Sequence, residues 1–367
     1  MKKYKVLLLG ASGIYGTTWY KEITRLEVTE LIGVCASSME SFSKLPPVTR
    51  TPHDFYDNIE KAIYECDADI AVIVLPTHMH ARACDLALKK GMHIICEKPV
   101  TANLQEAAQL CEEAKKHPDQ KFMVAQNYRF HNHIRTLKWA AQNNIAGQIS
   151  NILYEFRRPE NLWGYRTNME LPLLKDVSIH HFDLMRYITG KNCTEIYSVA
   201  YKQPWCEFRD RASVEAIIKM EDGVIVNYTG TWSSRGAETL WDGKITMFGD
   251  KGLLTLDEKG QVIYIPAEGQ PKVLENISDK TNRDTYKLTG ELSKELCKGK
   301  DSQVNNCKEE THRCFSEQQK VLLHLIQCIE ENRVPETSIW DNYNSFEMQW
   351  AAEVSIKENR PVRLTGL

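Results

Sequence analysis

At 367 residues, of which 42% are hydrophobic and 26% charged, the chain is long enough to bury a sizeable core and to divide into two domains. A formal net charge of -3 gives no electrostatic reason for a nucleic-acid or anionic-membrane partner, and it leaves small neutral or acidic ligands open. The 11 cysteines are odd in number, scattered and without a CxxC pair, which fits a reduced cytoplasmic protein with free thiols. No stretch is long and apolar enough to span a bilayer, and the apolar run VLLL near the start is too short for a secretory signal.

In chain order, KYKVLLLG reads as a strand ending in glycine, TTWYKEITRL as a helix and LIGVCAS as a second strand. DIAVIVLP and HIICEKP are two more strands, and between them THMHARACDLALKKG is a helix closed by Gly91 after two lysines. Nearly continuous apolar strands separated by helices predict a parallel sheet covered on both faces, a doubly wound α/β domain over residues 1–125. Past QNYRF and the helix-like HIRTLKWAAQNNI the texture changes. NILYEF, EIYSVAYK, SVEAIIKM, GVIVNYTGTW, KITMFG and GLLTLD are strand-like and separated by turns, which predicts an α+β domain on a mostly antiparallel open sheet over residues 126–340. Residues 257–310 are charge-rich and read as a long surface excursion. EQQKVLLHLIQCIEENR and YNSFEMQWAAEVSIKENR supply two late helices, and residues 341–367 are expected to pack back on the core as a C-terminal helix and tail.

The turn GASGIYG joins the first strand to the first helix. Gly10, Gly13 and Gly16, with Ser12, Ile14 and Tyr15 between them, allow a tight turn and close approach of a pyrophosphate to a helix N-terminus. The spacing departs from GxGxxG, because Ala11 stands where the first glycine falls if Gly13 and Gly16 are the second and third. At the end of the second strand an acidic side chain would bind the adenosine ribose of NAD, whereas here Ser37 and Ser38 follow Ala36 with no carboxylate before Glu40. The expected cofactor is therefore NAD or NADP, with a tilt toward NADP.

The succession of this dinucleotide fold, DIAVIVLPTHMHARACDLALKKGMHIICEKPVT, QNYRF and KDVSIHHFDLMRYITG resembles the Gfo/Idh/MocA oxidoreductases, the family of glucose-fructose oxidoreductase and inositol dehydrogenase. Similarity runs through PETSIWDNYNSFEMQWAAEVSIKENRPVRL near the end. Ser178 departs from the glycine of the family's D-x-G-x-H pattern, and MELPLL replaces the glycine-rich run often found just upstream. The resemblance implies a nicotinamide-dependent enzyme acting on a sugar, polyol or inositol hydroxyl and assembling as a homodimer or homotetramer.

It also implies a catalytic set of Lys98, Asp176 and His180. Pro99 denies the α region to Lys98, which is held extended at a strand's carboxyl end, where open α/β sheets bind ligands; Glu97 beside it fixes the backbone or pairs a basic neighbour, and Glu97 and Lys98 are both also candidates to bind the cofactor. Asp176 and His180, four apart, share a face if the segment is helical, and an imidazole titrates in the range a general base needs. Pro76, Thr77 and His80 follow DIAVIVLP at the cofactor edge, where the family's loop closes over the nicotinamide side. Asn127 and Arg129 are candidates for cofactor or sugar hydroxyls, with Tyr128 beside them as a further substrate candidate. Trp163 and Tyr165, next to Arg166, are candidates to wall a polyol pocket. Asp183 and Arg186 are expected in helix ion pairing and His181 in a structural role. The histidine pairs at 78/80, 131/133 and 180/181 lack a ligand set of settled spacing, so no metal is expected. Two other functions fit the same motifs: a redox-neutral lyase or hydrolase that oxidises transiently, and a dinucleotide-binding sensor without catalysis.

Overall fold

The structure, a computed structural model, describes residues 3–43, 45, 53–160, 164–275 and 315–366. It divides into two compact units, the first holding described residues 3–127 with 315–340 and the second 128–275 with 341–366.

In the first unit, β1 (Tyr4–Leu9), α1 (Ile14–Arg25), β2 (Thr29–Cys35), α2 (Met39–Ser43), β3 (Asp54–Tyr56) and α3 (Ile59–Glu65) come in succession. They are followed by β4 (Ile70–Ile73), α4 (His80–Lys90), β5 (His93–Cys96), α5 (Leu104–Lys115) and β6 (Phe122–Val124). The strands pair in parallel in the order β3-β2-β1-β4-β5-β6. Ile70, Ala71, Val72 and Ile73 are buried in succession, as a strand covered on both faces requires. The order reverses between β1 and β4, and the loops at the carboxyl ends of these strands border the crevice where such sheets bind ligands. Helix α4 ends as predicted, with Gly91 in the left-handed region at φ 87°.

Residues 315–340 belong to this unit rather than to the expected 126–340 domain. Ser316 and Gln319 form a reciprocal cap at the start of α8 (Glu317–Glu330), and the Ser316 hydroxyl donates to Glu22 of α1 at 2.9 Å. Thr337 takes the Val124 N–H at 2.8 Å and returns its hydroxyl to the Val124 carbonyl at 2.7 Å. The short β6 edge is thereby covered by chain from far along the sequence.

The second unit contains α6 (Asn132–Gln142), β7 (Ile149–Arg157), a π-helical turn over Leu173–Ser178, α7 (Ile179–Thr189), β8 (Cys193–Tyr201), β9 (Ser213–Met220) and β10 (Ile225–Thr231). It continues with β11 (Lys244–Gly249), β12 (Gly252–Leu256), β13 (Val262–Pro266), β14 (Lys272–Val273), α9 (Ile339–Glu358) and β15 (Val362–Arg363). Its nine strands run β14-β13-β12-β11-β7-β10-β9-β8-β15, and every pairing is antiparallel except β7 with β10. The expected excursion from 257 is thus, in its described part, two further strands of the sheet; residues 276–310 lie outside the described residues. Residues 341–366 fall in the second unit, where β15 pairs with β8.

Alternation along β9 sends Val214, Ala216 and Ile218 into the core, where they join Phe182, Met185, Tyr154, Phe156 and Tyr228. Each fully buried large apolar side chain contributes about 1.5–3 kcal/mol. The opposite face leaves Leu153, Val199, Ile217 and Phe248 between 37% and 52% exposed. Among the described residues eight cysteines are free and all are buried, and no helix is long and apolar enough to cross a membrane.

Candidate active site

The glycine turn is shaped by two close approaches and one open space. A Cβ on Gly10, which sits at φ 95°, would stand 2.4 Å from the Val74 carbonyl oxygen, and one on Gly16 would stand 2.1 Å from that of Gly10. A Cβ on Gly13 would meet nothing within 4 Å. Gly13 is the N-cap of α1 and gives it no side-chain cap, while Ser12, Ile14 and Tyr15 are exposed around it. Uncapped first-turn N–H groups facing open space fit a pyrophosphate. At the end of β2, Ser37 is exposed with its hydroxyl 3.2 Å from that of Ser41, and the Ser38 hydroxyl accepts from the Ser41 N–H.

Lys98 follows β5 and is half-buried, joined to Pro99 through a cis peptide. Glu97 fixes this loop as expected: one carboxylate oxygen accepts the Lys98 N–H at 3.3 Å and the other accepts the Trp19 indole at 2.8 Å. The same carboxylate was also a cofactor candidate, and the structure gives it these protein donors. Trp19 carries no signal in the sequence beyond a helix position, since its partner is 78 residues away. His80, also a cofactor candidate, is engaged by its own chain. Its ring is 1% exposed, with Nδ1 2.9 Å from the Pro99 carbonyl and Nε2 2.7 Å from that of Leu75. Burial lowers its pKa against the pull of those carbonyls; the ring lies between the loops that follow β4 and β5, and in its neutral form its single N–H donates to one of the two carbonyls. Pro76 is exposed and Thr77 half-buried in the first of these loops. Asn127 donates to Glu317 at the start of α8, so its amide is engaged within the first unit.

In the second unit, Asp176 lies on the π-helical turn and His180 in the first turn of α7, so the four-residue spacing crosses from a wide helical turn into a regular one. Such turns recur at functional sites. Asp176 and its partner Arg166 are both buried, with Nε donating to the carboxylate at 2.5 Å, and the guanidinium carbon lies 5.0 Å from the centre of the Tyr165 ring. Tyr165 is 63% exposed. His180 is buried and stacks on Tyr128, centroids 4.2 Å apart and planes within 16°. Arg166 thus joins Tyr165 to Asp176, and Tyr128 packs on His180. Trp163 lies outside the described residues.

Arg129, a candidate for cofactor or sugar hydroxyls, is engaged by two carboxylates of its own chain. It is buried, donating twice to Asp183 at 2.6 Å and once to Asp341 at 2.6 Å, while Arg186 donates to the other oxygen of Asp341 at 3.0 Å. Asp183 and Arg186 are thus both ion-paired as expected, but with Arg129 and Asp341 rather than along their own helix. His181 is structural as expected: Nδ1 meets the Tyr228 hydroxyl and Nε2 the Trp241 carbonyl, each at 2.9 Å, and burial brings the imidazole down to about 4.

Residues 4–126 match an oxidoreductase family with an NAD-binding Rossmann fold, and residues 134–255 match the GFO/IDH/MocA C-terminal domain. The chain is 23% identical to a myo-inositol 2-dehydrogenase of Thermotoga maritima, over 84% of this chain and 84% of that protein. Among solved structures it resembles an oxidoreductase from Agrobacterium radiobacter in complex with NAD+, L-tartaric acid and magnesium, with a TM-score of 0.81, 15% identity, and coverage of 99% and 98% of the two chains. It also resembles a scyllo-inositol dehydrogenase from Lactobacillus casei with bound NAD(H) and scyllo-inositol, with a TM-score of 0.72, 16% identity, and 99% of each chain covered. With both of its characteristic regions matched, the chain belongs to the GFO/IDH/MocA oxidoreductase family and carries its NAD-binding Rossmann fold.

Proposed function

We propose that this chain is a nicotinamide-dependent dehydrogenase that oxidises a secondary hydroxyl of a sugar, polyol or inositol. The observation that carries the reading lies within the first unit: the uncapped glycine turn after β1 and the anchored Lys98 after β5 both stand at the carboxyl edge of one parallel sheet. The activity named for the Thermotoga maritima relative and the scyllo-inositol bound by the Lactobacillus casei protein support a cyclic polyol as the substrate class.

When bound, the nicotinamide accepts the hydride from the substrate carbon. The chain's own groups handle the rest. The Lys98 ammonium donates to the reacting oxygen and stabilises the developing alkoxide. The His180 imidazole takes the hydroxyl proton as the C–H bond breaks and C=O forms. Asp176, held by Arg166, is the carboxylate assigned to orient the Lys98 ammonium and the His180 ring. Tyr128 packs on His180 and limits its ring to one orientation, and the exposed face of Tyr165 is a wall for a sugar ring.

Ser37 and Ser38 support NADP binding at least as tight as that of NAD, because neither repels a 2'-phosphate. Titration of both cofactors by fluorescence quenching tests this, and an affinity for NAD more than about tenfold better overturns it. The exposed apolar side chains Leu153, Val199, Ile217 and Phe248 on the open sheet face support self-association through it as a dimer or tetramer. Light scattering that finds a monomer at micromolar concentration removes that part.

The decisive experiment is a screen of inositols, polyols and aldoses with both cofactors, read at the nicotinamide absorbance, followed by His180→Ala and Lys98→Met on the substrate found. Turnover should drop by about a hundredfold or more in each, with cofactor affinity retained. Near-normal turnover in either variant removes that residue from the chemistry.

A further inference from the structure

Three side chains of the second unit meet outside the set assigned to catalysis. His131 is the N-cap residue of α6, His133 is the second residue of that helix, and Asp242 lies in the loop between β10 and β11. His131 Nδ1 is 2.6 Å from one carboxylate oxygen of Asp242 and His133 Nε2 is 2.6 Å from the other. One ligand atom from each of the three can be chosen so that all lie within 4.8 Å of one another. The Asp242 side chain is 4% exposed, whereas the imidazoles are 16% and 24% exposed, so the cluster has a buried anionic floor and an accessible rim.

Two imidazole nitrogens and one carboxylate oxygen are a donor set for a first-row divalent ion. A neutral imidazole carries its single ring hydrogen on either nitrogen, so placing it on the nitrogen away from Asp242 turns each facing nitrogen into a lone-pair donor, and the 2.6 Å contacts would open to admit an ion at about 2.0–2.2 Å from each ligand. We propose that His131, His133 and Asp242 form a divalent metal site, of which zinc is the representative occupant, with water completing the coordination. The ion would join the start of α6 to the β10–β11 loop. It would also fix His131 against Tyr128, whose ring stacks on it at 5.2 Å and on His180 at 4.2 Å. Its role is to hold the ring that packs on His180; the dehydrogenase chemistry proposed above does not pass through it.

The test uses the full chain, stripped with chelator and titrated with zinc alone by calorimetry, then with cobalt(II) alone by absorbance. One ion per chain should bind with a dissociation constant at or below about 10 µM. His131→Asn and His133→Gln put an amide N–H where the imidazole N–H stood, so they keep the hydrogen bonds to Asp242 while removing the metal donors. Each should weaken zinc binding about a hundredfold or more while leaving the metal-free melting temperature near that of the parent. Absence of stoichiometric zinc binding in the parent would identify the cluster as a hydrogen-bond clamp and overturn the proposal, as would retention of affinity within a few-fold in both variants. Should a variant fail to fold, the parent's cobalt spectrum decides: nitrogen and oxygen ligation sustains the site, and sulfur charge-transfer bands assign the ion to cysteines and overturn it.

Discussion

Replacing Arg129 with methionine separates a structural cation from a substrate-binding one. The guanidinium is 4% exposed and gives three charge-assisted bonds, two to Asp183 and one to Asp341. Among the described residues Asp183, itself 1% exposed, would be left with the Ser345 hydroxyl at 2.7 Å, while Asp341 would keep Arg186. An uncompensated buried carboxylate of this kind costs about 3–5 kcal/mol. In a unit of this size each kcal/mol moves the melting temperature by about 2–4 °C, so calorimetry should find a fall of roughly 6–20 °C. Arg129→Met combined with Asp183→Asn removes the stranded charge and keeps an acceptor for Ser345, so it should recover more than half of the loss, which measures the coupling directly. Were Arg129 instead a ligand for a sugar hydroxyl, the single variant would melt within about 2 °C of the parent and show a raised KM. That outcome would refute the assignment to the ion network.

Gly13→Ala should fold normally, because its Cβ meets no protein atom within 4 Å, yet weaken dinucleotide binding about tenfold or more; equal affinity in the fluorescence titration would remove the pyrophosphate from this turn. Gly16→Ala should instead lose about 3 kcal/mol or more in urea denaturation, since its Cβ would sit 2.1 Å from the Gly10 carbonyl oxygen. His80→Ala removes the ring between the Leu75 and Pro99 carbonyls, and turnover should decline about ten- to a hundredfold while cofactor affinity changes little; a change in affinity alone would make His80 a cofactor ligand after all. Burial opposes ionisation of Asp341, but Arg129 and Arg186 outweigh it and hold the carboxyl below its usual range. A depressed folded-state pKa stabilises above the unfolded value of about 3.9 and loses that contribution as pH falls further, so removing Arg129 should flatten the acid limb of the stability profile below about pH 4; an unchanged limb would place the titration elsewhere.

Much of the fold was legible because the physics that forms it is local. Strands such as Ile70–Ile73, buried on both faces, leave an uninterrupted apolar run, and β9 leaves an alternating one. Gly91 marks a helix end because the left-handed region is cheap only for glycine. The three residues of β3 are too few to carry a period, and helix α8 shows its amphipathic face without naming the surface it covers. That surface is on α1, at the other end of the chain, where Ser316 reaches Glu22 across 294 residues.

The site divides along the same line. Glu97 and Lys98 announce themselves because a proline next to a charged pair at a strand end constrains the backbone locally, and the Glu97 bond to the Lys98 N–H is one residue long. Arg129 and His80 are polar residues at the edges where ligands bind, and residue type alone does not say whether the partner is a substrate or another part of the chain. The structure answers with Asp183, 54 residues on, for the first and with the Pro99 carbonyl, 19 residues on, for the second. The histidines at 131 and 133 follow the same logic in reverse. Spacing rules for metal sites describe ligands that one short segment supplies, and His-Asn-His alone supplies two; the carboxylate that completes the set is Asp242, 111 residues after the first histidine, brought there by the β10–β11 loop. A ligand set assembled by tertiary structure has no sequence period, so an expectation of no metal built on spacing speaks only to sites made from one segment.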